Sequence, residues 1–458
     1  MKKLLSIILL AALMGSMVLT GCGKKSEEIA STDKGTTGTK TETGTEDKAG
    51  DTKAEDENEI ITITMSNWLE AEEATSEIFK ELLADFMAAN PNIKVESVAI
   101  PFNQYKDQVL IAGTSGNAAD VIMGNSQMIV AFYGAGVLAD LKGVVSQEVL
   151  DDIYPNYLAG TTFEGKIAAI SWAPHPLALY YNKDLMKKAG LDPEKAPATW
   201  DEMTEMAKKI AALGKDEAGN TIYGLGLPTG KVAHSGSVAN GVFYSFGGHF
   251  LGGDGKVDLS NEGTVNALKY MKQMVDEKVM PGGLEIKDLR GLFATGQIGF
   301  IIDGDMGRNA YRASSGKGEA FDASMGYAII PTGVTGRSET VYTEHELAIS
   351  STSSHPEAAA KLIEYLTGKD AMLKYHKSNA VLSGRKSVAA LPEMNEDNFM
   401  EVFNKQAETA SPLPATNPLF DNAMNEVTKA MERIMVNNED ITEVLEDTET
   451  TIKNMYGE

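Results

Sequence analysis

Residues 60–65 read Ile-Ile-Thr-Ile-Thr-Met, a run rich in β-branched side chains that predicts a β-strand. After it, apolar residues recur with the period of a helix, at Ile78, Leu82, Leu83 and Phe86. Asn90-Pro91 ends that helical pattern. Two further strand patterns follow at residues 93–100 and 119–123, with a helical pattern at 104–111 between them. Such alternation predicts an α/β fold with helices on the faces of a sheet.

Polar and aromatic side chains follow two of these strands. Trp68 and Glu70 come after the first strand, and Asn125 and Gln127 come after the third. Ligands of α/β sheets bind at the carboxyl ends of the strands, so we predict these four residues as binding residues. Two alternatives stay open at this point: Asn125 and Gln127 could only cap their loop, and Trp68 could belong to the core or the rim.

Length, charge and cysteine content restrict the classes of protein to consider. A chain of 458 residues with 43% hydrophobic residues is expected to fold into two or more lobes. Its net charge of -24 argues against a nucleic-acid partner, because counterion release requires clustered Lys and Arg. The single cysteine excludes disulfides within the chain and thiolate metal cages, and the six histidines lack metal-ligand spacing. We expect no metal and no cofactor.

The N-terminus has the pattern of an export signal. A basic start, Met1-Lys2-Lys3, precedes an apolar run over residues 4–19 that is short for a stable membrane span. Residues 1–21 are therefore predicted to be a signal peptide. The next residue completes Leu19-Thr20-Gly21-Cys22, which resembles the lipobox of bacterial lipoproteins and implies a lipidated Cys22. The alternative is an ordinary signal peptide with a chance cysteine.

A polar linker follows the predicted lipidation site. Residues 24–59 consist mainly of Gly, Thr, Lys, Glu and Asp, with six Lys against eleven acidic residues. Such a segment cannot bury enough apolar surface to offset its ordering entropy. We predict that residues 22–59, including the lipidated cysteine, form a disordered tether between the membrane and the folded part.

Motifs spread along the folded part carry a resemblance to a known family. They are Leu-Tyr-Tyr-Asn-Lys-Asp-Leu at 179–185, Lys-Ala-Gly-Leu at 188–191, Pro-Ala-Thr-Trp-Asp-Glu-Met at 197–203, Gly-Gln-Ile-Gly-Phe-Ile-Ile-Asp-Gly at 296–304, and Leu-Ala-Ile-Ser at 347–350 before His-Pro-Glu-Ala-Ala at 355–359. In this order and spacing the chain resembles the extracellular solute-binding proteins of ABC importers, of the maltose-binding-protein type. The resemblance runs from about residue 60 to residue 430.

The resemblance implies a two-lobed clamp of the type II periplasmic-binding-protein class, with a ligand cleft between the lobes. Crossovers between the lobes are expected near residues 171–177 and 342–347. The expected first lobe is 60–171 plus 345–381, and the second is 172–344 plus 382–458. Hinge closure around the ligand would then create the form that a membrane permease recognises.

The resemblance also implies further ligand-binding residues. Those at the crossovers are Trp172, His175 and His345. Those expected from the second lobe are Tyr244, His249, Asp305, Met306, Arg308 and Phe420. Met306 stands where many sugar-binding relatives carry a Trp, and its charged neighbours raise the alternative of a charged ligand. Structural roles remain open for His175 and for the aromatic run around Tyr244. Relatives usually carry small residues where this chain has Glu344-His345-Glu346, and these charged groups could contact the ligand or gate the hinge. Trp200 is assigned to the core beside a helix cap at Thr199.

An enzyme is the competing class of function. The mature chain has no Gly-x-Ser-x-Gly elbow, no cysteine nucleophile beyond Cys22, and no dinucleotide or phosphate loop. Paired carboxylates, as in glycosidases, are not excluded by sequence. We therefore expect a non-enzymatic, monomeric receptor, lipid-anchored on the outer face of the cell membrane, that captures a carbohydrate, an oligosaccharide in our prediction, for an ABC permease. The alternatives are a lipoprotein glycoside hydrolase, a binding protein for a charged polyol or sugar phosphate, and a receptor that feeds a sensor kinase.

Overall fold

Two large β-sheets, one in each lobe, organise residues 60–458, the part of the chain that this computed structural model describes, and a two-stranded sheet within residues 162–167 adds to them. The predicted signal peptide (1–21) and the tether with Cys22 (22–59) lie outside the described residues. Within residues 60–458, no helix combines the length and the apolar character needed to cross a membrane.

The strands are β1 Ile61–Asn67, β2 Ile93–Ala99, β3 Val121–Gly124, β4 Thr162–Phe163, β5 Lys166–Ile167, β6 Ile170–Pro176, β7 Ala178–Asn182, β8 Tyr223–Gly226, β9 Ile298–Asp303, β10 Met325–Ala328, β11 Thr340–Ile349 and β12 Ala410–Pro412. The bounds of strands β1, β2 and β3 lie within two residues of the predicted patterns. The α/β alternation expected from the sequence is confirmed.

The helices are α1 Ser76–Ala89, α2 Phe102–Thr114, α3 Ser126–Gly134, α4 Gln147–Asp152, α5 Pro155–Gly160, α6 Lys183–Lys188, α7 Trp200–Ala211, α8 Ala233–Ser245, α9 Glu262–Asp276, α10 Ile286–Ala294, α11 Gly307–Ser315, α12 Pro356–Leu366, α13 Lys369–Asn379, α14 Lys386–Ala389, α15 Asn398–Ala407, α16 Phe420–Met435 and α17 Ile441–Tyr456. Short 3-10 helices cover Leu69–Ala71, Gly318–Ser324 and Pro392–Met394.

The sheet of the first lobe has the strand order β12-β11-β3-β1-β2, and β6 also pairs with β11. The pairs β1–β2 and β1–β3 are parallel, so the carboxyl ends of all three strands lie at one edge of the sheet. This edge carries Trp68 after β1, Phe102 after β2 and Asn125 after β3. It is the edge at which ligands of α/β sheets collect.

The sheet of the second lobe has the order β10-β7-β9-β8. Apolar cores cover both of its faces, and one of them includes Trp200, Phe243 and Phe420. The predicted structural role of Trp200 is confirmed. It is 5% exposed and contacts Phe246, and the Glu202 backbone N–H donates to Thr199 Oγ1 over 3.1 Å as a helix cap.

Two strands carry the chain between the lobes. Strand β6 ends in the first sheet at Pro176, and β7 begins in the second sheet at Ala178, so the chain crosses at Leu177. Strand β11 starts beside this point, where Thr340 Oγ1 donates to the Leu177 carbonyl over 3.0 Å, and then runs antiparallel to β6 into the first sheet. The first crossing falls within the predicted residues 171–177, whereas the second, at residues 340–341, lies just before the predicted 342–347.

The segment after residue 381 is shared between the lobes. Its side chains Val388, Met394 and Ala407 pack in the core of the first lobe. Leu382 and Phe403, in contrast, pack against the sheet of the second lobe. The structure therefore divides residues 382–410 between the two cores, whereas the sequence assigned them all to the second lobe.

Candidate functional site

The antiparallel pair of β6 and β11 forms the centre of the candidate site. His175 lies opposite Thr343, and His345 lies opposite Ala173, so both imidazoles project from the same face of the pair. Residues 344 and 346 alternate with His345 and place two glutamates on the opposite face. We call the first face the imidazole face and the second the carboxylate face.

The imidazole face joins the two lobes by a buried contact. His175 Nδ1 lies 2.8 Å from Oδ1 and 3.0 Å from Oδ2 of Asp305, which follows β9 of the second lobe. A carboxylate can only accept, so Nδ1 carries the hydrogen. The His345 ring packs edge-to-face between His175 at 4.8 Å and Trp68 at 5.3 Å, measured between ring centroids. The structure thus brings four of the predicted site residues together.

The two imidazoles are in opposite electrostatic situations. Burial alone would lower the pKa of His175, but the Asp305 carboxylate more than offsets this and raises it above the usual value. Burial, together with the positive charge of His175, holds the pKa of His345 well below its usual value. Asp305 thus favours the charged form of His175, whereas burial favours the neutral form of His345.

The carboxylate face holds an unusual pair of acids. Glu344 is 1% exposed and Glu346 is 0% exposed. Ser126 Oγ donates to Glu346 Oε1 over 3.3 Å, but within residues 60–458 the other three carboxylate oxygens have no hydrogen-bond partner. Ser171 Oγ and Tyr157 OH are buried there without partners as well.

Burial decides the protonation of these two acids. It raises the pKa of Glu344 to about 7, and burial plus the charge of Glu344 raises that of Glu346 well above its usual value. Two buried carboxyl groups without a contacting cation cannot both ionise at neutral pH. The pair therefore retains at least one proton.

Two cavities are bordered by residues of both lobes, and one of them includes Asp305 of the candidate site. One, of about 530 Å³, is bordered by Asp305, Arg308, the end of α13 and the start of α15. The other, of about 570 Å³, is bordered by Phe163 from the first lobe, Tyr244 from the second and the segment 411–416. Each cavity contains side chains from both lobes, and both exceed the lower size of ligand pockets in proteins.

Arg308 and Met306 differ in how available they are to a ligand. Arg308 Nη1 donates to Asp397 over 2.7 Å, and its guanidinium lies 4.6 Å from the centre of the Phe399 ring. These contacts within the second lobe already compensate its charge. Met306, by contrast, is 59% exposed beside Asp305 and is free to contact a ligand.

Trp172 and Phe420 lie in cores, so their prediction as ligand contacts is wrong. Strand β11 pairs with Ala173 and then directly with Ser171 of β6, so that Trp172 between them has no partner. This bulge turns the indole into the first core, where Nε1 donates to the Leu366 carbonyl over 2.9 Å. Phe420 is fully buried against Phe250 at a centroid distance of 5.9 Å.

The remaining predicted residues lie away from the group formed by His175, His345, Asp305 and Trp68. Asn125 Oδ1 accepts from the Met128 backbone N–H over 3.0 Å, so the capping alternative accounts for it. Gln127 is half-buried in the first turn of α3, and Glu70 lies 3.5 Å from Lys80. His249 Nε2 lies 2.8 Å from Asp258 Oδ2 on an exposed part of the second lobe.

Sequence analysis missed one contact between the lobes. Lys106 Nζ of α2 lies 2.8 Å from Asp421 Oδ2 in the first turn of α16. Phe102, one turn before Lys106, is 49% exposed. The strand-end rule that selected Trp68 applies equally to the residues after β2, and it would have found Phe102. Asp421 has no comparable signal, because its position depends on how the two lobes meet.

The folded part matches a known family along most of its length. The sequence profile for the bacterial extracellular solute-binding protein matches residues 71–373. The chain belongs to this family. The two-lobed architecture and the resemblance stated from the motifs are thereby confirmed.

Named relatives add to the family assignment. A binding protein of Brucella abortus is 27% identical over 379 residues, which cover 81% of this chain and 88% of the relative. A maltooligosaccharide ABC transporter solute-binding lipoprotein of Streptococcus pneumoniae is 26% identical over 336 residues, covering 69% of this chain and 74% of the relative. The solved cyclic α-maltosyl-1,6-maltose binding protein of Arthrobacter globiformis has a TM-score of 0.76 at 20% identity, covering 87% and 99% of the two chains, and shows the fold alone.

Proposed function

We propose that this solute-binding protein captures a neutral oligosaccharide between its lobes and delivers it to an ABC importer by hinge closure. The observation that carries the proposal is the contact of His175 with Asp305, which ties a crossing strand to a loop of the second lobe. Ligand binding beside this contact would change how the lobes meet. A ligand with higher affinity for the closed form would then shift the population toward it.

The chemistry around the contact supports a sugar ligand. His175, His345 and Asp305 supply imidazole and carboxylate groups, Trp68 packs behind them, and Met306 adds an exposed apolar side chain. Sugar sites combine apolar faces with convergent hydrogen-bonding groups. Tyr244 borders the cavity of about 570 Å³ and would contact a sugar bound there. The maltooligosaccharide named for the S. pneumoniae relative supports the same ligand class.

The proposed setting follows from the N-terminal sequence. Cys22 would be lipidated and residues 22–59 would tether a monomer to the outer face of the cell membrane. The S. pneumoniae relative carries the word lipoprotein in its name, which supports this arrangement. The receiving partner would be the permease of an ABC importer. Replacement of Cys22 by Ser should release the protein into the medium.

The site favours binding over hydrolysis. A glycosidase needs two carboxyl groups that reach the scissile bond. Glu344 and Glu346 form a carboxyl pair on the crossing strand, but they project from the face opposite the imidazoles and so point away from the proposed ligand. Compensation of Arg308 by Asp397 supports a neutral ligand over a charged polyol or a sugar phosphate.

The test is a thermal-shift screen of the purified protein against maltose, maltotriose, polyols and sugar phosphates, followed by chromatography of each sugar. A ligand at a hundred times its Kd stabilises the folded state by about 2.7 kcal/mol, which is readily measured. We expect a neutral oligosaccharide to raise the midpoint and to be recovered intact. A response to charged compounds alone would contradict the ligand class, and cleavage of the sugar would contradict the receptor function.

A further inference from the structure

The N-terminal turn of α2 faces the second lobe. Phe102 is the first residue of this helix and directly follows Pro101 at the end of β2. Phe102 and Lys106 are four residues apart, so they lie on the same face of the helix. Tyr105 and Val109, three and seven residues after Phe102, lie beside them on the helix and are buried in the core of the first lobe. Phe102 and Lys106 therefore lie at the border of the buried face, where one aromatic and one cationic side chain extend beyond the first core.

The contact of Lys106 with Asp421 shows what this helix face meets. Asp421 lies in the first turn of α16, whose neighbouring residues Phe420 and Met424 pack in the core of the second lobe. The side chains of Lys106 and Asp421 are 27% and 35% exposed, so water reaches the ion pair. A half-exposed ion pair of this kind is weak and can be exchanged for contacts with a ligand.

Phe102 is the exposed aromatic residue beside this pair. Its ring packs edge-to-face against Trp68 at a centroid distance of 5.3 Å, and this contact leaves 49% of the residue exposed. Trp68 itself is only 3% exposed, because Phe102, Tyr105 and His345 surround it. An aromatic face for a ligand at this edge of the cleft is therefore offered by Phe102, with Trp68 as its support.

We propose that Phe102 supplies the aromatic face on which a sugar ring stacks, and that Lys106 and Asp421 bind the hydroxyl groups of the same ring. This inference rests on the proposed function and names the residues that determine its ligand affinity. An aromatic face with an adjacent cation and carboxylate suits a neutral polyhydroxylated ring, which presents C–H groups on its faces and hydroxyl groups at its edge. The ring would take the place of the direct contact between Lys106 and Asp421, so that each lobe holds one edge of the ligand.

The test of the aromatic face is calorimetric titration of maltotriose into Phe102→Ala, Phe102→Tyr and Ile111→Ala. Ile111 lies on the same helix and is 69% exposed, so its replacement is a matched control for loss of an exposed apolar side chain. We expect Phe102→Ala to weaken binding at least tenfold, and the other two variants to stay within about twofold of the wild type. Equal affinity of Phe102→Ala and the wild type would overturn the inference and leave the proposed function intact.

A double-mutant comparison tests the polar groups. If Lys106 and Asp421 each contact the sugar, Lys106→Ala and Asp421→Ala should both weaken maltotriose binding severalfold, and the double variant should show the product of the two losses. If the pair only holds the lobes together, the double variant will match either single variant, which would overturn this part of the inference. Absence of any sugar binding by the wild type would instead overturn the proposed function, and the inference with it.

Discussion

Two histidine–aspartate pairs in this protein have the same length and different surroundings. His175 with Asp305 and His249 with Asp258 both have a nitrogen-to-oxygen distance of 2.8 Å. The side chains of the first pair are 7% and 3% exposed, whereas those of the second are 38% and 47% exposed. The first pair joins a crossing strand to the second lobe, and the second pair joins two loops of one lobe. Equal geometry therefore does not imply equal energy or an equal role.

The physical difference lies in solvation. Water screens the exposed pair and solvates either partner when the other is removed, so such a pair contributes about 0 to 1 kcal/mol. In the buried pair, removal of one partner leaves a polar or charged group that nothing solvates. The raised pKa of His175 reflects this dependence on Asp305. A histidine in such a position responds to changes at the interface between the lobes.

The largest expected effect comes from breaking each pair by the same substitution. Asp305→Asn should lower the free energy of unfolding by about 3 kcal/mol, because it leaves His175 buried without its carboxylate. Asp258→Asn is the matched control and should change it by less than about 1 kcal/mol. Chemical denaturation of both variants measures the difference. Equal effects would show that burial is not what separates the two pairs.

The pH dependence of the Asp305→Asn deficit follows from the same pair. The pKa of His175 is raised in the folded state, so its stabilising contribution is complete below its unfolded value of 6.5 and is lost as the pH rises through the folded value. The deficit should therefore be larger at pH 6 than at pH 9. A deficit that grows with pH would contradict the assigned charge of His175.

A smaller effect is expected from the carboxylate face. The pKa values of Glu344 and Glu346 are raised in the folded state, so the free energy of unfolding should fall as the pH rises from 4.5 through about 7. Glu346→Gln removes one buried acid. It should raise the free energy of unfolding at pH 8 by about 1 to 2 kcal/mol, since one pKa unit corresponds to about 1.4 kcal/mol. Denaturation at pH 5 and pH 8 provides the measurement.

The control for this substitution is Glu96→Gln, the same chemical change on the exposed side of β2. It should leave the stability at both pH values nearly unchanged. If Glu346→Gln were destabilising at pH 8, an interaction other than the retained proton would compensate the glutamate pair.

The smallest expected effect on stability is that of the ion pair between Lys106 and Asp421, which lies between the lobes but is not buried. Lys106 and Asp421 also join the two lobes, yet both side chains are partly exposed. Lys106→Ala should therefore change the free energy of unfolding by at most about 1 kcal/mol, and added salt should reduce even this difference. Denaturation at two salt concentrations tests it. A loss of stability as large as that of Asp305→Asn would mean that the energy of such a pair depends on its location between the lobes and not on its burial.

Local pattern predicted much of this architecture. The strands β1 to β3 and the cap at Thr199 follow from side-chain period and capping chemistry, which act over a few residues. The family motifs then supplied the two lobes and the crossing strands. The combination was sufficient to place His175, His345, Asp305 and Trp68 in one predicted site, and the structure brings their side chains together.

What the sequence did not predict depends on register and on contacts between distant segments. Trp172 is the unpaired residue of a bulge in β6, and its indole lies in the core. Phe420 and Asp421 are adjacent, yet one is buried and the other reaches Lys106 across the lobes. In each case the register of the strand or the rotational phase of the helix determines whether the side chain is buried. Neither feature can be recognised from residue type.

The most direct test of the account is titration of maltotriose into the wild type, His175→Ala and His249→Ala. The two substitutions are chemically identical and remove the imidazole from pairs of equal length, one between the lobes and one on the periphery. The account predicts stoichiometric binding by the wild type and by His249→Ala, and at least tenfold weaker binding, or about 1.4 kcal/mol, by His175→Ala. Equal affinities for all three proteins would contradict the placement of the solute site at the imidazole face.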